Sequence, residues 1–245
     1  MKFHISTRFG ELNKENGFSV VELIFVLLIA TIMASFSIFY LTGHQRLYKP
    51  DEQSLKLVDL MQEARQRSLT QRETMRVEID LNDNAARLID ENTPSVASDD
   101  VIISEVTLFS DTTVKINSQP PDINTFPTES LPVPAAQFSP SVYPTSVAHN
   151  VSTFRFLRNG TVVNAGTNAV GDNATVTGAT LFVWSPQKDN ANASEIARAI
   201  TIVGATGSIR FWEYNRAATD ANKWKDSRRS SVYGGQTSGS NSNSN

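Results

Sequence analysis

One carboxylate, Glu22, stands inside an otherwise uncharged apolar run, residues 18–41, FSVVELIFVLLIATIMASFSIFYL. Of all the residues in the chain, its placement has the clearest chemical consequence. An ionised carboxylate near the hydrocarbon of a bilayer costs several kcal/mol unless a partner faces it. Glu22 would also lie in the first turns of a helix, where the macrodipole favours negative charge. Immediately before the run the order is Asn16-Gly17-Phe18-Ser19-Val20-Val21-Glu22.

Other chemistry has little to draw on. The three histidines, His4, His44 and His149, fall in three unlike segments, and the chain has no cysteine. The lack of cysteine excludes a disulfide framework, a Cys-ligated zinc and a Cys nucleophile together. G-x-S-x-G, H-E-x-x-H, the P-loop and the dinucleotide fingerprint are all absent. No catalytic residue, cofactor or metal site is therefore expected. Asp172-Asn173 and Asp189-Asn190 lack EF-hand spacing and read as turn formers. A formal net charge of −3 supplies no basic field, so no nucleic-acid partner is expected.

The element that must position Glu22 is the run itself. A helix needs about 20 apolar residues to cross a bilayer, and residues 18–41 contain neither Gly nor Pro. The run exceeds a secretory h-region and no small-x-small site follows it, so it is expected to stay in the mature protein. Lys2, Arg8 and Lys14 precede it, against His44, Arg46 and Lys49 after it, so the flanking charges are not one-sided. The strand-rich remainder looks like an exported domain. Orientation follows from that: N-terminus cytoplasmic, head periplasmic, in a single-pass inner-membrane protein.

The stretch from Asn16 to Glu22 resembles the class III signal of type IV prepilins and type II secretion pseudopilins, with Ser19 where Thr is common. The resemblance implies a 1–17 leader, cut after Gly17 by a membrane prepilin peptidase, and N-methylation of the new first residue, Phe18. The freed α-amino group is a natural cation for Glu22. Residues 18 and 22 lie about one helical turn apart, so the pair could form within one chain. The family reading is intermolecular, with Glu22 of one subunit meeting the N-terminal amine of its neighbour in a helical filament.

From residue 42 to 74 the chain is polar and reads as a continuation of the helix. Leu57, Val58, Met61, Ala64 and Ser68 lie on one face, Asp59, Glu63 and Arg67 on the other. Pro50 is expected to kink the helix or restart it. Strand-like runs follow at 75–81, 85–90, 101–109, 113–116, 153–157, 161–163, 180–184, 199–203 and 208–214. The fold expected is α+β: a long N-terminal helix, transmembrane in its first half, packed on an antiparallel β-sandwich-like head over 75–226, the pilin fold. Seven of the ten prolines crowd residues 117–150, which predicts an extended surface insertion. It reads either as a tolerated loop or as a partner-contact segment anchored by Phe126, Phe138 and Tyr143. Residues 227–245 are Ser-, Asn- and Gly-rich and read as a disordered tail.

Within the head, Glu63-Ala64-Arg65 leading to residues 77–81, the Phe154 to Gly160 segment, and the hairpin around Ile200–Arg210 resemble the GspH/FimT group of minor pilins. The resemblance implies a structural subunit of a type II secretion pseudopilus, a type IV pilus or a DNA-uptake pilus. Its implied partners are prepilin peptidase/methyltransferase, sister pilins and inner-membrane lipid. The alternative is an uncleaved, singly anchored β-sandwich binding module.

Overall fold

The computed structural model describes residues 19–93, 96–116, 119–129, 131, 133–219 and 222–227. The expected leader, Gly17, Phe18 and the tail beyond Ser227 lie outside these residues. The chain divides into two compact units, Met1–His44 and Gln45–Asn245. Helix α1 (Val20–Gln71) contributes to both.

In the first unit, α1 is long and apolar enough to cross a membrane over Val20–Ser37. Its side chains there are exposed and its one charge is Glu22. The Ser19 carbonyl accepts the first helical bond, from Leu23 N at 3.0 Å. Thr31 Oγ1 donates to the Leu27 and Leu28 carbonyls (3.0 and 2.8 Å), and Ser35 Oγ donates to the Thr31 carbonyl at 2.8 Å. These back-bonds satisfy the hydroxyls without water, as a segment in lipid requires.

In the second unit, α1 runs through Pro50 without the restart that Pro50 suggested. Pro50 is buried, and Ser54 Oγ donates to its carbonyl at 2.6 Å. The buried face carries Leu57, Val58, Leu60, Met61 and Ala64, with Ser68 below them. Arg72, at φ 60°, ends the helix in the left-handed conformation.

The strands form two sheets. The first comprises β1 (Thr74–Asp80), β2 (Ala85–Glu91), β3 (Val101–Thr107), β4 (Ser139–Pro140), β5 (Asn150–Phe156) and β6 (Val162–Val163). Its order is β3-β2-β1-β5-β4, with β6 also on β5. The second comprises β7 (Ala179–Pro186), β8 (Ser194–Val203), β9 (Ser208–Tyr214) and β10 (Trp224–Asp226), in the order β10-β9-β8-β7. All the paired strands are antiparallel. The protein is thus α+β: one N-terminal apolar helix followed by antiparallel sheets. One apolar core joins the α1 face to inward residues of both sheets, among them Met75, Val77, Ile79, Leu88, Phe156, Val183, Ile200 and Ile202. Each such side chain contributes about 1.5–3 kcal/mol by leaving water.

The strand expected over 113–116 does not form. Only Lys115 bridges to Trp184, and the chain then turns into Pro120-Pro121, which offer no N–H to a ladder. β4 and β10 were not expected. β4 contains Pro140, tolerated because β4 is an edge strand.

Candidate functional site

Of the three residues that the sequence singles out, Gly17 and Phe18 lie outside the described residues. Glu22 occupies the first turn of α1, exposed, and among the described residues it has no charged partner. The helix therefore presents a carboxylate at its N-terminal end whose counter-ion must come from elsewhere or from solvent.

The densest chemistry among the described residues is a layer that sequence reading missed. Met75, Val77 and Ile79 of β1 enter the core, so Arg76, Glu78 and Asp80 emerge on the opposite face. That face is buried too, and all three are 0% exposed. The segment from Pro140 to Asn150 and the loop from Asn164 to Val176 contribute partners to it.

Arg76 is the hub. Its Nε donates to Glu78 Oε1 at 2.7 Å, and its Nη1 meets Glu91 Oε1 at 2.9 Å and Asp100 Oδ2 at 2.8 Å. Its guanidinium carbon lies 3.8 Å from the centre of the Tyr143 ring. Arg155, opposite Arg76 in the β1–β5 register, pairs with Glu91 through Nη2 at 2.6 Å. Its Nη1 reaches the Gly171 carbonyl at 3.3 Å. Gly171 has φ +74°, which favours glycine, and a Cβ there would lie 1.7 Å from Arg155 Nη1, so any side chain would displace the guanidinium. Glu78 Oε2 accepts from Thr145 at 2.9 Å and from Ser146 at 2.8 Å. The Tyr143 hydroxyl donates to the Ala165 carbonyl at 2.6 Å, and burial pushes that phenol up to about 12. Burial also holds Asp100 above the ordinary carboxyl range, against the pull of Arg76.

Beside this layer, Asp80, Asp83 and His149 bring three potential metal ligands within 4.8 Å of one another. The Arg87 guanidinium already fills the cation position, 3.0 Å from Asp80 and 2.5 Å from Asp83. His149 Nδ1 lies 2.7 Å from Asp80 Oδ2. That hydrogen bond raises the imidazole above its ordinary value. Asp80 is held below the carboxyl range. Burial opposes this, and it is outweighed by His149, by the turn amides of Asp83 and Asn82, and by Arg87. The arrangement is an ion-pair set that fastens the His149 segment to the β1–β2 turn.

The outer face of the second sheet carries a second, aromatic layer. Phe182, Trp184, Trp212 and Trp224 pack there with Ile123. The proline-rich insertion is bonded across this face rather than lying as a free surface loop. Asp122 Oδ1 accepts from Ser194 N at 3.0 Å, and the Thr125 carbonyl accepts from Trp224 Nε1 at 2.9 Å. Glu129 accepts from Thr201 and pairs with Arg210 at 3.2 Å. Ala136 N donates to the Thr180 carbonyl at 2.8 Å. Tyr143 is fully buried, Phe138 packs partly buried against the main core, and Phe126 keeps 41% of its surface exposed. Around Asp172-Asn173 the polar groups bond one another, with Asn168 Oδ1 accepting from Val170 N and Asp172 N, which is turn chemistry.

Comparison with protein-family models, curated proteins and solved structures returns no match to this chain.

Proposed function

We propose that this protein is a minor pilin or pseudopilin: a filament subunit processed after Gly17, methylated on Phe18 and assembled through its N-terminal helix. The observation that carries the reading is Glu22, the only charge in the membrane-capable span and located in the first turn of α1. Its prelude Gly17-Phe18 supports the same reading. Proteolysis would create an α-ammonium group four residues from this carboxylate, and a neighbouring subunit would offer the same group in trans. In a low-dielectric filament core, pairing removes most of the several kcal/mol that an isolated carboxylate costs there. The head then selects which subunit follows, or caps and initiates the filament. Membrane placement follows: single-pass, N-terminus cytoplasmic, head periplasmic.

The test is mass spectrometry of the chain co-expressed with a prepilin peptidase. The expected product starts at methylated Phe18, and Gly17→Ala abolishes processing. Intact chain, or processing indifferent to Gly17→Ala, would instead identify an uncleaved anchored binding module. Glu22→Ala is expected to spare membrane insertion and to lower incorporation into filaments severalfold; unchanged incorporation removes the charge-neutralising role.

A further inference from the structure

We propose that a cavity between α1 and the start of β9 binds a phosphoryl oxyanion through Arg65. The cavity has a volume of about 400 Å³ and is lined by Gln62, Arg65, Gln66 and Leu69 of α1 and by Ser208 and Ile209 of β9. That volume lies within the roughly 300–1,000 Å³ of small-molecule sites. All six residues belong to the Gln45–Asn245 unit.

Three features point to an anion. First, among the described residues Arg65 is a cation without a counter-ion. Its Nη2 donates to the Thr206 carbonyl at 3.3 Å, which leaves Nη1 and the buried Nε with no acceptor among the described residues. Glu63, the nearest carboxylate along the chain, is engaged by Arg67 at 2.8 Å. Guanidinium donors bond most strongly to carboxylate and phosphate oxygens. Second, the turn between β8 and β9 makes room for the guanidinium. Gly207 has φ +60°, and a Cβ there would lie 3.2 Å from Arg65 Nε and 2.4 Å from the Gly160 carbonyl oxygen. The Leu157–Thr161 turn, which Gly207 thus abuts, carries a second exposed cation, Arg158. Third, no acidic side chain lines the cavity. The side chains of Gln62, Gln66 and Ser208 hydrogen-bond to no described residue, and each can donate. These donors stand on two walls, α1 and β9. A phosphoryl group presents three acceptor oxygens in different directions and meets both walls; a planar carboxylate presents only two.

Isothermal titration of the full chain in detergent micelles with sodium phosphate, against sodium chloride of equal ionic strength, tests the site. Saturable heat is expected with phosphate alone of the two. Arg65→Gln should weaken binding at least about tenfold, and Arg65→Lys severalfold, since lysine keeps the charge but not the planar fork. Gln62→Glu places a carboxylate three residues before Arg65 on the same helix face and supplies the missing anion from within. It should abolish phosphate binding while the urea midpoint stays unchanged or rises, which separates lost binding from lost folding. Glycerophosphoglycerol, a phosphodiester headgroup without acyl chains, distinguishes the sources. Saturable heat with it as well assigns a lipid headgroup; heat with inorganic phosphate alone assigns free phosphate or a phosphomonoester. The proposal is overturned by the lack of saturable heat, by wild-type binding in Arg65→Gln or Gln62→Glu, or by acetate binding as tightly as phosphate. None of these results bears on processing at Gly17, so this inference and the filament reading fail independently.

Discussion

Arg76 has no solvent to fall back on. It serves Glu78, Glu91 and Asp100 from a fully buried position, with Tyr143 stacked on its face. Such a network adds little net stability relative to apolar packing, but deleting one member strands the others. Arg76→Met is therefore expected to lower stability by about 3–5 kcal/mol, because three carboxylates lose their hub together. Urea unfolding of the full chain followed by Trp emission measures it; Trp184, Trp212 and Trp224 are all buried in the head. A loss below about 1 kcal/mol, the range of exposed pairs, would mean that water reaches the layer.

His149 gives a pH signature at the same scale. Its pKa is raised in the fold by Asp80, so its contribution is fully present below the unfolded value of about 6.5 and fades as pH rises through the folded one. Asp80 is shifted down, so its own contribution holds above the ordinary carboxyl range and is lost on acidification. His149→Asn should thus destabilise most between these limits, near pH 5–6, and least at alkaline pH. Unfolding midpoints of both proteins across pH give the profile; a constant difference would show that the imidazole contributes by packing alone.

At the scale of elements, the insertion behaves as a strap rather than a loop. Its prolines remove N–H donors, so it cannot join a ladder along its length. It is held instead by side chains at intervals: Asp122 on Ser194, Glu129 on Thr201 and Arg210, and the backbone of Ala136 on Thr180. The Glu129 side chain is 1% exposed, and truncating it leaves Thr201 and Arg210 without that acceptor. Glu129→Ala is expected to cost about 1–3 kcal/mol and to open the strap to protease between residues 119 and 136. Limited proteolysis with mapping of the first cut checks this, with first cleavage elsewhere arguing against a latch at Glu129. Helix α1 illustrates the opposite case. Its buried face at positions 57, 58, 61, 64 and 68 is legible from 3.6-residue spacing, since a helix's contacts follow its own periodicity.

At the scale of the molecule, the division at His44/Gln45 separates a span without tertiary burial from a unit with its own core. The head's cooperativity should therefore be self-contained. A chain beginning at Gln45 is expected to unfold in one transition by Trp emission, at the same urea midpoint as the full chain in nanodiscs. A lower midpoint or two transitions would show that the span contributes to the head's stability.

The sequence by itself determined the features that depend on neighbours along the chain. The apolar length of residues 18–41, the lone Glu22, the amphipathic face of α1 and most strands are set by local periodicity, and turns such as Asn82-Asp83 by side chains that bond their own backbone. Tertiary structure alone decided the outer faces. Thr74–Asp80 alternates apolar and charged residues as a half-solvated strand does. Its charged side is buried only because Tyr143, Thr145, Ser146 and His149 return 67 to 69 residues later to cover it. Alternation reports which residues share a face; what lies against that face is fixed by contacts distant in sequence, and no local pattern encodes them.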